Sequence, residues 1–177
     1  KNGYAVPNRF EAIIIPPTAM GKNSATPTFL QKVGMDKGPT TSRDVSLRVE
    51  GIALPGRNLA TLDDTNIYGP TRSIVNGITY AEDIKISFQA SSDLAERRFF
   101  EEWQKLAFSE KTWNVGYYND YIAQIDLYLL DRQDNRRFGV KLWECFPKTV
   151  DGTDLNQGAN NEIIKNDVNF SFRYWTQ

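Results

Sequence analysis

The sequence predicts a mainly β protein: an antiparallel two-sheet sandwich or barrel with one flanking amphipathic helix and two long loop arms. Three observations carry this. Six segments alternate apolar and polar residues with the period of two that turns one strand face toward a core. A single segment places its apolar residues at helical spacing instead. Two stretches, Pro16–Arg43 and Pro55–Pro70, are polar, rich in turn formers and without periodicity.

The first strand is expected at Arg9–Ile15, a run ending in three isoleucines. Asp44–Glu50 follows, with Val45, Leu47 and Val49 on one face. Asn76-Gly77 predicts a type I′ turn joining Thr71–Val75 to Ile78–Tyr80, because Gly accepts positive φ without a Cβ clash. Glu82–Ala90 alternates through Ile84, Ile86 and Phe88, and Tyr121–Leu130 through Ala123, Ile125, Leu127 and Leu129. The polar run Asp131–Arg136 predicts a turn into Arg137–Phe146, where Phe138, Val140 and Leu142 share a face. Asp167–Trp175 closes the series with Val168, Phe170, Phe172 and Tyr174.

Ser91–Phe108 is the helix. Ala95, Phe99, Trp103, Leu106 and Ala107 fall on one face, and Arg97, Arg98, Glu101 and Glu102 on the solvated side. Ser92 or Asp93 is the expected N-cap, with Asp93 and Glu96 as a capping box. Arg97 and Glu101 are spaced to pair along the helix.

A length of 177 residues suits one domain, 1–177, with an insertion at 16–43 and an extended arm at 55–80. The formal net charge of −1 gives no general attraction to a polyanion, which argues against tight nucleic-acid binding. No apolar run reaches the roughly 20 residues that span a bilayer, and Lys1–Pro7 lacks the apolar core of a signal peptide.

The residues that usually carry chemistry are scarce. Without any histidine there is no Ser-His-Asp or Cys-His triad and no His-containing zinc site. Cys145 is the single cysteine, so the chain closes no internal disulfide, and its strand-like setting marks it as a small buried hydrophobe. No glycine-rich phosphate loop occurs, and no cofactor is expected. Three carboxylate pairs remain, Asp63-Asp64, Glu101-Glu102 and Asp151 with Asp154, best read as solvated turn and helix residues. Arg132, Arg136 and Arg137 read as a charged hairpin tip partly offset by Asp131 and Asp134. The expectation is a protein that is not an enzyme.

Several short pieces, read in order, resemble the tail-tube protein family of contractile-tailed bacteriophages, related to pyocin and type VI secretion tube proteins. They are Ala5–Glu11 (AVPNRFE), Ile52–Gly56 (IALPG), the segment Ser73–Tyr80 leading into Ile84–Phe88, the helix with Phe99, Phe100 and Trp103, Cys145–Val150 (CFPKTV), and Asn161–Trp175. The resemblance implies hexameric rings stacked around a channel for DNA during ejection. It also implies sheath, baseplate and tape-measure partners, no membrane association, assembly in the host cytoplasm and a final place in the virion tail. Contacts between subunits or rings are expected at Leu59, Leu62, Ile67, Tyr68, Ile74 and Ile78 in the 55–80 arm. The alternatives are a tube-initiating or baseplate-proximal protein of the same fold, and a carbohydrate- or peptide-binding β-sandwich module that uses Trp113 and other aromatics as a platform.

Overall fold

Alternating segments can bury their apolar faces only by pairing, and in the computed structural model they pair antiparallel throughout. The structure describes residues 7–17, 45–65, 68–81, 83–153 and 163–177. The strands are β1 (Phe10–Ile15), β2 (Val49–Ile52), β3 (Arg57–Asp64), β4 (Arg72–Tyr80), β5 (Asp83–Gln89), β6 (Ala123–Leu130), β7 (Arg136–Val150), β8 (Lys165–Ser171) and β9 (Tyr174–Thr176). Two helices have both ends described, α1 (Ala95–Ala107) and the single turn α2 (Tyr118–Tyr121). Most of the 16–43 insertion lies outside the described residues.

Seven strands form one sheet, six in the path β1-β6-β7-β8-β5-β2 and β9 off it beside β7. The path folds into two facing halves because β7 belongs to both. Its first part pairs with β6 and β9, and its last part, from Phe146, with β8. The changeover sits at Glu144, whose φ of 56° is left-handed. That kink shifts the inward phase by one residue: Val140 and Leu142 point in before it, Cys145 and Pro147 after it. The predicted single strand Asp167–Trp175 breaks at the same corner. Arg173 donates its backbone N–H to Trp143 O, and its guanidinium lies 3.0 Å from Glu144, so β9 can follow the other half of β7. Alternation runs unbroken through Phe172 and cannot reveal the corner. Among the described residues the sandwich is open, since β1 and β2 each pair with a strand on one side.

The core joins both halves to α1: Ile14, Ile86, Phe88, Ile125, Leu142, Val168 and Phe170 meet Phe99, Phe100 and Trp103. On α1, Ala95, Phe99 and Trp103 are buried and Leu106 half-buried. Phe100, left off the predicted face, is also fully buried and packs 4.8 Å from Phe88.

Three local expectations are corrected. Residues 45–47 are helical rather than the start of a strand, which begins at Val49. Val45 is buried but Leu47 is exposed; Ser46 Oγ accepts the Ile14 N–H, holding this turn against the free edge of β1. Neither Ser92 nor Asp93 caps α1. Leu94, at φ 52°, occupies the cap position, and Ser91 Oγ accepts the Ala95 N–H while Glu96 reaches back to Ser91. Asn76-Gly77 is not a turn, because β4 runs straight through it against β3. Gly77 pairs with Ala60 and Val75 with Thr61, so Asn76 is the extra residue of a β-bulge, and the polar 55–70 arm therefore contributes a strand, not only loop.

The 131–136 turn forms as expected. Asp131 Oδ1 accepts the backbone N–H groups of Gln133 and Asn135 at 2.8 and 2.9 Å. Those bonds, Asn135's first, hold its carboxyl at about 2, below its ordinary 3.8. A depressed carboxylate stabilises the fold above its ordinary value and loses that contribution as pH falls through the folded one. An NMR titration of the Asp131 carboxyl carbon should give a midpoint near 2; a midpoint at the ordinary 3.8 would refute the turn.

Candidate assembly surfaces

The candidate catalytic groups are engaged elsewhere. Asp63 accepts from Ser73 Oγ and Asp64 from Arg72 Nε. Glu101 pairs with Arg97, and Glu102 with Lys105. Asp151 lies 3.8 Å from Lys85, and Asp154 falls outside the described residues. Arg136 pairs with Glu11 and lies over the Tyr128 ring, and Arg137 pairs with Asp131. Burial pushes the Cys145 thiol up to about 12, which suits packing and not nucleophilic attack. Among the described residues no group of three or more Cys, Asp or Glu converges as a metal site.

Among the described residues, two clusters of exposed apolar side chains stand out. The first is the ribbon of β3 and β4, a two-stranded sheet that pairs with no other strand among the described residues. Its base is held by Trp175: the Arg57 guanidinium lies 5.3 Å above that ring, Tyr80 meets it edge-on, and the indole N–H points to Gly56 O at 3.4 Å. Beyond the base, Leu59, Leu62, Ile74, Val75 and Ile78 are 50 to 61% exposed, and Tyr68 is 90% exposed. Ile67 lies outside the described residues. Directly opposed residues share a face, so the register puts Leu59, Ile78 and Val75 on one side. The bulge places Leu62 and Ile74 on the other. Beyond the base, where Tyr80 packs on the core, both faces of the ribbon carry exposed apolar side chains.

The second is the loop after α1. Ser109 and Asn114, Trp113 and Ser109, and Gly116 and Ala107 close it with backbone hydrogen bonds of 2.8 to 3.0 Å. Gly116 passes so close to α1 that a Cβ there would sit 2.1 Å from Leu106 O, so only glycine fits. This frame holds Trp113 at φ 56° with its ring 5.7 Å from Phe108, and leaves Trp113, Val115 and Tyr117 exposed. The spacing of the aromatics assigns most of them to packing. Trp103 does pack, Trp143 stacks on Tyr174, and Trp113 stands out in solvent.

A third surface is polar. The strand faces of β5 and β8 turned away from the core, with the adjoining end of β7, carry interlocked charges. Lys85 pairs with Asp167 at 2.7 Å, Lys148 with Asp83 at 2.8 Å, and Lys165 with Glu50 at 2.7 Å. The hydrogen bond from Lys85 holds the Asp167 carboxyl below its ordinary range, and the same bond raises the ammonium. Exposed pairs of this kind add little stability. Their effect is a hydrophilic face without net attraction for anions.

The fold recurs in solved contractile injection systems. The chain is similar to a chain of the anti-feeding prophage baseplate in a 6-fold symmetrised structure (12% identity, 99% of this chain and 96% of that one, TM-score 0.61). It is similar to one from the sheath/tube terminator of an extracellular contractile injection system (10%, 99% and 98%, TM-score 0.62). A third comes from the anti-feeding prophage tube-terminating cap (10%, 99% and 91%, TM-score 0.61). At these identities the likeness is one of fold. No curated protein matches in sequence. Residues 5–177 match the phage tail tube protein family, nearly the whole chain, and the protein belongs to that family.

Proposed function

We propose that the chain is the repeating subunit of a tail tube, forming hexameric rings that stack around a channel for DNA. The observation that carries this is the ribbon. A two-stranded sheet with exposed apolar side chains on both faces is at best marginally stable in water, and among the described residues nothing pairs with it, which favours cover by other copies. Copies of the same chain supply it in a ring, whose heterologous contacts join two different faces and close by rotation. The border at β2, and that of β1 outside the Ser46 contact at Ile14, are where neighbouring copies extend the sheet. The charge-paired face of β5 and β8 lines the channel, where a strongly basic lining would hold DNA back through its phosphates.

In this reading the protein is structural and performs no reaction. It is assembled in the host cytoplasm and ends in the virion tail, contacting sheath, baseplate and tape-measure proteins. A tube-initiating role uses the same surfaces; a copy number of one ring per tail, rather than many, would assign it.

Electron microscopy of the expressed protein tests the reading. Wild-type chain should give rings or tubes, and Leu62→Asp with Ile74→Asp should give none. The double variant should keep the wild-type unfolding free energy within about 0.5 kcal/mol per site, since both positions are exposed. A wild-type chain that stays monomeric at high concentration across salt and pH would end the proposal.

A further inference from the structure

The ribbon and the aromatic loop are exposed apolar patches whose positions are related. Across the half-sheet the order is β7-β8-β5-β2. The ribbon grows from β2 and β5 at one flank; α1 packs on β7 at the other. Along the strands they sit at one level. Arg97, near the start of α1, donates to Asp151 O, and Asp151 bonds Asp167 beside Ser87, in the later part of β5. Gln104, in the last turn, donates to Pro147 O and Lys148 O; Pro147 pairs with Phe170, and Phe170 with Ile84, at the start of β5 where the ribbon joins. The helix thus delivers its loop to the ribbon's height, on the opposite flank.

Patches at equal height on opposite flanks are what a side-by-side contact within one ring requires, whereas stacked rings need patches at opposite ends. We infer that the Leu59–Ile78 side of the ribbon packs on the Trp113, Val115 and Tyr117 loop of the laterally adjacent copy. The inference rests on the tube reading and names the partner of one ribbon face. Leu59 and Ile78 are opposed near the base, at the level of the loop. Leu62 and Ile74 lie on the other face and about 10 Å further out, three residues of strand rise, and stay available to the next ring. The receiving loop is rigid, so ordering it costs little on contact. The occupant is a second copy because each patch is the complement the other lacks.

Cross-linking of assembled particles tests the contact. Ile78→Cys combined with Val115→Cys, treated with a short-spacer bismaleimide, should yield a ladder of covalent dimers, trimers and higher species on denaturing gels. Either single variant should yield none, and Leu62→Cys with Val115→Cys should yield none. Cys145 is fully buried and stays out of the reaction. Rings visible by electron microscopy without a 78–115 ladder would overturn the contact, as would a 62–115 ladder of equal strength. That outcome would leave the loop to a different protein. A sample without rings would overturn the tube reading, and this contact with it.

Discussion

Trp103→Ala should cost roughly 3–5 kcal/mol of folding free energy, the range for deleting a fully buried aromatic. Trp103 has no exposed surface, lies edge-on to Phe99 and Phe170 with centroids 6.1 and 6.0 Å away, and sits where α1 meets both halves of the sandwich. Its indole N–H also donates to Tyr121 O at 2.7 Å, tying α1 to α2. Truncation leaves a cavity that three elements line, and an acceptor without its donor. Trp103→Phe keeps most of the packing and should lose about 1–2 kcal/mol through the hydrogen bond and the smaller ring. Urea unfolding followed by far-UV circular dichroism measures both. A loss below about 1 kcal/mol for the alanine variant would mean that α1 is not held in the core as described.

How far the molecule is legible in residue order depends on where local pattern decides structure. Strands whose phase stays regular, such as β5 with Ile84, Ile86 and Phe88 inward, can be read directly. The corner cannot. Glu144 takes a left-handed conformation that its type does not advertise, and the inward phase moves from Leu142 to Cys145 only because of it. The ribbon fails in the opposite way. β3 alternates weakly because both of its faces stand largely exposed, so hydrophobic periodicity, a signal of burial, has nothing to record. Asn76-Gly77 then suggests the turn that such a pair usually makes, while the pairing of β4 with β3 places Asn76 in a bulge. Of the candidate contact residues, Leu59, Leu62, Tyr68, Ile74 and Ile78 stand exposed on the arm, a pattern of apolar residues in a polar stretch. Trp113 and Val115 are invisible as a patch in the sequence because their display depends on the close pass of Gly116 over α1, a tertiary fact.

Glu96→Ala should be nearly as damaging as the loss of Trp103, at about 2–4 kcal/mol. The Glu96 side chain is 3% exposed and holds three groups: the Ser91 N–H at 3.0 Å, the Ser91 hydroxyl at 2.8 Å and the Arg48 guanidinium at 2.8 Å. Ser91 Oγ in turn accepts the Ala95 N–H, so one carboxylate organises the whole first turn of α1. Leu94, at the cap position, makes no side-chain cap bond of its own, so that turn relies on Ser91, which Glu96 holds in place. Breaking a buried ion pair by removing one partner costs about 3–5 kcal/mol. Arg48 is 42% exposed and can turn to water, which discounts the figure. Arg48 also anchors β2, since Gln89 N–H donates to its carbonyl, so the damage spreads from the helix start to the open border of the sandwich. Glu96→Gln keeps one acceptor oxygen and should lose about half as much, whereas Glu101→Ala, on the wet side of the same helix, should change stability by no more than about 0.5 kcal/mol. Equal losses for Glu96→Ala and Glu101→Ala in urea unfolding would show that Glu96 is only a surface residue. A buried cap requires a graded series instead, with Glu96→Ala worst, Glu96→Gln intermediate and Glu101→Ala near wild type.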